Sequence, residues 1–201
     1  MIDSYDHEIR DALHRKKLSN PHYHRPDTLV VDELGLLHGS NRVDVAVING
    51  CIHGYEIKSS RDTLKRLNSQ LKAYSITLQK LTFVVAPNHV DELMKSIPEW
   101  VGVIVATKGK KGAISFRTLR LAKKNPNFDI VSASHLLWKN EAQSLLKSKG
   151  FRAKDINLCR KDLYDLIGKN IDSNEIVSSI RSALMSRENW RVDGLSEIND
   201  G

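Results

Sequence analysis

The spacing of apolar positions changes several times along the chain. In "SYDHEIRDALHRKKL", Tyr5, Ile9, Leu13 and Leu18 recur near helical spacing, which predicts an amphipathic helix with Ser4 as its N-cap. The polar stretch "SNPHYHRPD", with two prolines, interrupts it. Three short β-branched or apolar runs follow, "TLVVDELGLL", "RVDVAVI" and "CIHGYEIK", and they predict three strands, the last two joined as a hairpin at Asn49-Gly50. The helical period returns in "SSRDTLKRLNSQLKAYSITL", where Leu64, Leu67, Leu71, Tyr74 and Leu78 mark one face. Beyond it, "KLTFVVAP" predicts a strand, "NHVDELMKSI" a short helix ended by Pro98, and "VGVIVATK" and "AISFRTLRL" two further strands. The expected order is αβββαβαββ. From Asn125 onward three helical patterns carry almost no strand signal. The expectation is an α/β core over residues 1–124 and a helical C-terminal module over 125–201 with a flexible end, in which Trp138, Leu145, Leu146 and Phe151 are core.

The hairpin breaks the apolar pattern with Asp44, Glu56 and Lys58. A carboxylate in a half-buried strand costs several kcal/mol unless it is paired, hydrogen-bonded or bound to a cation. Alternation puts Glu56 and Lys58 on one face and Tyr55 and Ile57 on the other, and sets Asp44, Ala46 and Ile48 opposite Val43, Val45 and Val47. A plain two-residue turn would separate Asp44 from Glu56. A three-residue turn with Gly50 at a left-handed position would pair Val47 with Cys51, Asp44 with Gly54 and Arg42 with Glu56. It brings Asp44, Glu56 and Lys58 to one face and joins Val45 and Val47 to Tyr55 and Ile57 on the other, so the bulged turn is the expected one. Paired hard oxygen ligands suit Mg²⁺ or Mn²⁺ completed by water and phosphate oxygens, and Lys58 beside them suits phosphodiester hydrolysis. The competing reading is an Asp-Lys-Glu ion-pair cluster on a solvated edge, against which stands the apolar character of both faces of these strands.

Composition adds a partner class. A formal charge of +7 over 201 residues favours a polyanion, although many basic proteins bind no nucleic acid. The run "KGKKGAISFRTLRLAKK" holds cations and no acid. Its turn lysines Lys110 and Lys111 would track a phosphate backbone or else guard an edge strand, and Arg117 and Arg120 cannot share a face of a regular strand. The two distant cysteines, Cys51 and Cys159, an acidic start and the lack of any run of about 20 apolar residues give the expectation of a cytoplasmic protein with no membrane segment. The histidines of "HYH", with His38 and His53, make no ligand pair on one element, and no zinc site is expected. His38, ahead of the hairpin, is a candidate substrate contact. "RKDLYDLIGKNIDSNEIVSSIRSALMSR" either resembles a helix-turn-helix with a basic end at Arg181, Arg187 and Arg191, or covers the sheet.

Asp44 followed through a hairpin by Glu56-Ile57-Lys58 resembles the D…ExK signature of the PD-(D/E)xK nuclease superfamily. The order helix, three strands, helix, strand is similar to its restriction-endonuclease-like αβββαβ core, a central mixed sheet flanked by helices. Gln70 and Tyr74 match the Q-x-x-x-Y element of the RecB-like branch, and the run from Glu33 to Ser75 looks like a small, poorly characterised bacterial and phage branch. Val43 stands where proline often precedes the aspartate. The resemblance spans roughly residues 4–107. It implies a metal held by Asp44, Glu56 and the Ile57 carbonyl, with Lys58 assisting the attacking water. Glu33 would be a further ligand, or else a strand residue satisfied by Arg42. Gln70, Tyr74, His38, Arg42, Lys110 and Lys111 would contact substrate, though Gln70 also fits as a polar flank and Tyr74 as core. The expected function is a Mg²⁺- or Mn²⁺-dependent nuclease acting on nucleic acid, DNA first, as a monomer or a homodimer. The alternative is an inactive nucleic-acid-binding or adaptor protein that keeps the fold.

Overall fold

The computed structural model describes residues 2–19 and 28–187. Helix α1 (Asp6–Leu13) runs into a π-helical turn (His14–Leu18). Strands β1 (Leu29–Leu36), β2 (Asn41–Ile48) and β3 (Ile52–Lys58) lead to α2 (Leu67–Thr77), β4 (Lys80–Val85), α3 (Val90–Ser96), β5 (Gly102–Lys108) and β6 (Ile114–Arg120). Four helices follow: α4 (Ile130–Ser134), α5 (Lys139–Ser148), α6 (Arg160–Asn170) and α7 (Ser173–Ser186). The chain is α/β, and its first nine elements fall in the order the periodicity predicts.

The six strands form one mixed sheet in the order β1-β2-β3-β4-β5-β6. Pairing is antiparallel along β1-β2-β3, parallel along β3-β4-β5 and antiparallel again at β6. Helices are needed only where the chain must cross over between parallel neighbours, and α2 and α3 make those crossovers. The larger apolar cluster lies on one face, where Ile52, Leu81, Phe83 and Val85 meet α2 and the C-terminal helices through Tyr74, Leu163, Ile176 and Ile180. The smaller lies on the other face, where Val45, Val47, Tyr55 and Ile57 pack on Ile9 and Leu13 of α1. With β2 and β3 inside the sheet, Asp44, Glu56 and Lys58 do not lie on a solvated edge strand.

Several local expectations change. Ser4 does not cap α1: Tyr5 is the N-cap, its N–H donating to Glu8 Oε2 at 3.0 Å, while the Ser4 N–H donates to Ser60 Oγ at 2.8 Å. The β2–β3 connection has three residues, but they are Asn49, Gly50 and Cys51, so Ile48 pairs with Ile52 and Ala46 with Gly54. Gly50 adopts φ +92°. The register is two residues from the expected one, which preserves the parity and leaves Asp44 and Glu56 on one face. Val43 departs from its expected side: it joins Ala46 and Ile48 in the larger cluster. On β1 the same change occurs, since Leu29 and Val31 share that cluster with Leu34 and Leu36. The break in alternation falls at Glu33, where φ is +54°. Leu37 (φ +50°) and His38 (φ +58°) in the β1–β2 turn are also left-handed, at a cost of about 1–2 kcal/mol for each such non-glycine residue.

At β6 a bulge pairs Val103 with Arg120 but Ile104 with Thr118, so Arg117 and Arg120 sit opposite Val105 and Val103 on one side after all. Arg120 donates to the Val101 and Pro98 carbonyls, at 2.7 and 3.1 Å, and Arg117 is exposed. Trp138 is 53% exposed rather than core. Leu145 and Leu146 are buried and Phe151 partly so, as expected.

Candidate active site

The ladder between β2 and β3 ends at Val45–Tyr55, while β2 stays paired with β1 as far as Asn41. The two strands therefore separate where the acids lie. Ile57 is left without a backbone partner on that side, and its N–H instead donates to Asp44 Oδ2 at 2.6 Å. Alternation along the strand turns the Ile57 carbonyl toward the same opening. The gap is the start of a cleft of about 790 Å³ walled by α1, the β1–β2 hairpin, β3 and the start of α2.

Glu56 forms the floor and is 2% exposed. Its Oε1 accepts from Lys58 Nζ at 2.7 Å and from Gln70 Nε2 at 2.6 Å, and its Oε2 lies 2.7 Å from the Tyr74 hydroxyl. That hydroxyl is also 2.7 Å from the Arg42 carbonyl oxygen, and its single proton serves one acceptor at a time. Burial, then the charge of Glu56, drives the Tyr74 phenol far above its ordinary range, so it remains a donor. Helical spacing explains the pairing: Gln70 and Tyr74, four apart on α2, present one face to β3. Tyr74 is at once core, with no exposed surface, and a site residue.

Asp44 is higher in the cleft. Burial, and then the neighbouring Glu56, raise its pKa from 3.8 to about 7, against the opposing bond from the Ile57 N–H. Arg10, which the sequence reading passed over, reaches in from α1. Its guanidinium contacts Glu33, lies 2.9 Å from Asp6 Oδ1 and approaches Asp44 Oδ1 to 3.7 Å. Burial opposes the Arg10 charge, but these acids hold its pKa raised. Burial likewise raises Asp6, against the pull of Arg10. The only sequence signal for this pair was the i,i+4 spacing of Asp6 and Arg10 beside the buried Ile9 and Leu13. Where the helix docks was not readable from it.

Of the predicted site residues, Glu33, Arg42, Asp44, Glu56, Ile57, Lys58 and Gln70 line the cleft, and Tyr74 supports its floor. Glu33 is held chiefly by Arg10, with Arg42 at 3.7 Å. Gly39, Ser40 and Asn41 put the β1–β2 turn at the cleft mouth, but the His38 ring turns away and stacks on His135. Lys110 and Lys111 lie in the exposed β5–β6 turn and do not line the cleft. Arg187 is bound to Glu141 and the Leu136 carbonyl, and Arg181 donates to Met185 Sδ. His22, His24, Arg191 and the end of the C-terminal module fall outside the described residues.

Among the described residues five carboxylates and four cations line the cleft, so it does not attract phosphate by charge alone. Among the described residues no three His, Cys, Asp or Glu side chains converge to hold a metal ion. The donors that do face the opening are Asp44 Oδ1, the Ile57 carbonyl and Glu56. That set fits a hydrated Mg²⁺, which takes one or two carboxylates and completes its shell with water and substrate phosphate.

The family described as Bacteriophage P4 protein cII matches residues 3–195. The chain belongs to this family. Protein cII of Enterobacteria phage P4 is 27% identical over 180 residues, which cover 86% of this chain and 67% of that relative. No solved structure matches the chain. Among the described residues of this P4 cII family member, no helix is long and apolar enough to cross a membrane.

Proposed function

We propose that this member of the P4 cII family is a divalent-metal-dependent nuclease, with a restriction-endonuclease-like core, that hydrolyses phosphodiester bonds in DNA. The observation that carries the reading is the convergence of Asp44, Glu56 and Lys58 around the Ile57 backbone, at the one place where β2 and β3 separate. Asp44, Glu56 and the Ile57 carbonyl would hold the cation. A bound divalent cation supplies charge to the phosphoryl oxygens and makes water a stronger nucleophile near neutral pH.

The remaining work falls to the chain itself. Gln70 and Tyr74 fix the Glu56 carboxylate in one rotamer, so its position is set before substrate arrives. Lys58 neutralises Glu56 in the resting site, and its Nζ is the cation at the floor for charge developing on phosphate. Arg42, exposed at the mouth, is placed to meet the neighbouring phosphate. Arg10 holds Glu33 and Asp6 and keeps their charge off the path of the substrate backbone.

The test is incubation of linear, circular, single-stranded and branched DNA, and of RNA, with Mg²⁺ or Mn²⁺. Cleavage that needs the metal and falls at least about a hundredfold in both Glu56→Gln and Lys58→Ala supports the reading. Unchanged rates in those variants refute it. Binding without cleavage of any substrate turns the assignment to a nucleic-acid-binding protein that retains these acids for structure.

A further inference from the structure

The β1–β2 turn that forms the cleft mouth has a second side. Behind Gly39, which lines both spaces, a separate cavity of about 600 Å³ opens toward the C-terminal helices. Its character is opposite to that of the cleft: among the described residues its lining includes two histidines, a tyrosine, a tryptophan and two arginines, and no carboxylate.

The rings are arranged. His38 stacks on His135 with centroids 4.4 Å apart and planes at 22°, and Tyr164 lies 4.9 Å from His135 and 5.8 Å from His38. The Tyr164 hydroxyl is anchored on the Leu137 carbonyl at 2.8 Å. His135 Nδ1 is buried with no hydrogen-bond partner among the described residues, so stacking rather than hydrogen bonding sets the place of that ring. His38 reaches it only because Leu37 and His38 both take left-handed backbone conformations that their side chains disfavour. Burial lowers both imidazole pKa values, aided by Arg160 at His38 and by His38 at His135, where Asp129 and Asp165 pull the other way. Arg160, exposed at the start of α6, has no ion pair among the described residues. Trp138 at the rim is held on one face by the Arg187 guanidinium, 4.2 Å from the ring centroid.

We propose that this cavity is a subsite for one unpaired nucleotide of the substrate strand, whose base extends the His38–His135–Tyr164 stack while its phosphate is met by Arg160. Aromatic rings offer π-faces to any base, and the Arg160 cation beside them meets the backbone charge. A paired base cannot enter without leaving its duplex, so the subsite selects single-stranded or frayed ends. The inference deepens the nuclease reading and rests on it, because the shared Gly39 wall places the adjoining phosphate at the cleft.

The test uses the full chain in EDTA, where cleavage is silent, with a fluorescein-labelled single-stranded 12-mer, the same sequence as duplex, and a single strand with abasic positions. Wild type binds the intact single strand more tightly than either comparison. Arg160→Ala and His135→Ala weaken that binding about tenfold and leave duplex binding unaltered. Lys95→Ala, an exposed change on α3 outside both cavities, binds as wild type. Arg160 is exposed, so its variant keeps the wild-type melting temperature and decides the matter if His135→Ala is unstable. Equal affinity for intact and abasic strands, or equal competition by an acidic peptide of matched charge, overturns base recognition. Normal metal-dependent cleavage with no single-strand preference overturns the subsite but leaves the nuclease. A single-strand preference lost in Arg160→Ala, with no cleavage of any substrate, overturns the nuclease and leaves the pocket.

Discussion

Replacing Asp44 with asparagine makes the protein more stable above neutral pH. Burial and the proximity of Glu56 place the Asp44 pKa at about 7 in the folded chain against 3.8 for an unperturbed carboxyl. The folded state thus binds the Asp44 proton more tightly than the unfolded state, and stability falls as pH rises between those values. At about 1.4 kcal/mol per pH unit, ionising Asp44 costs the fold on the order of 4 kcal/mol once pH exceeds 7. Its side chain is only 20% exposed, so solvent screens little of this. Asparagine retains an oxygen to accept the Ile57 N–H and carries no charge. In urea titrations the variant exceeds wild type by about 4 kcal/mol at pH 8, and the gap narrows by about 3 kcal/mol at pH 5, where wild-type Asp44 is protonated. Comparing variant with wild type at each pH removes the other titrating groups. A gap that is absent at pH 8, or equal at the two pH values, would refute the electrostatic account of the cleft.

Other outcomes follow from the same geometry. Mg²⁺ at a hundred times its Kd raises wild-type stability at pH 8 by about 2.7 kcal/mol and leaves Asp44→Asn nearly unmoved, measured by the shift in melting temperature. Tyr74→Phe removes the hydroxyl shared by Glu56 and the Arg42 carbonyl and costs about 1–3 kcal/mol in denaturant unfolding, with loss of metal-dependent cleavage. Gly102→Ala would bring a Cβ to 2.7 Å from Thr82 Oγ1 and 2.8 Å from the Ala122 backbone nitrogen, and lowers stability by about 1–3 kcal/mol in the same assay. Arg187→Ala removes the ion pair from the partly buried Glu141, which keeps the Trp138 N–H at 2.7 Å, and costs about 1–3 kcal/mol.

The order of elements was legible because each strand and helix carries its own period, and the shared face of Glu56 and Lys58 needed only alternation. Parity survived even where the register did not: a connection shifted by one residue moves the register by two and returns the same faces. Val43 was misplaced because the alternation breaks at Glu33, and a glutamate gives no sign in sequence that it will take φ +54°. The bulge beside Leu119 was hidden in the same way and reversed the relation of Arg117 to Arg120. Arg10 was missed for a different reason. An amphipathic pattern shows which face of a helix is buried but not which strands it meets, and only the docking of α1 against β3 and β6 carries Arg10 to Asp44. Trp138, expected in the core with Leu145 and Leu146, instead serves as a platform for Arg187 at the surface.

The strands lie side by side in the order in which they are synthesised. During translation each new strand can add to the edge just completed, with no earlier strand pushed aside to admit it. Every side chain of the Asp44–Glu56 site, from Asp6 to Tyr74, is synthesised before the second half of the chain begins. The same order carries a hazard. Leu81, Phe83 and Val85 stand on a face whose cover includes Leu163, Ile176 and Ile180, about 80 to 100 residues further on. Until those helices arrive, the nascent chain holds an assembled site on a sheet with one greasy side open to the cell, and its yield depends on how soon that side is closed.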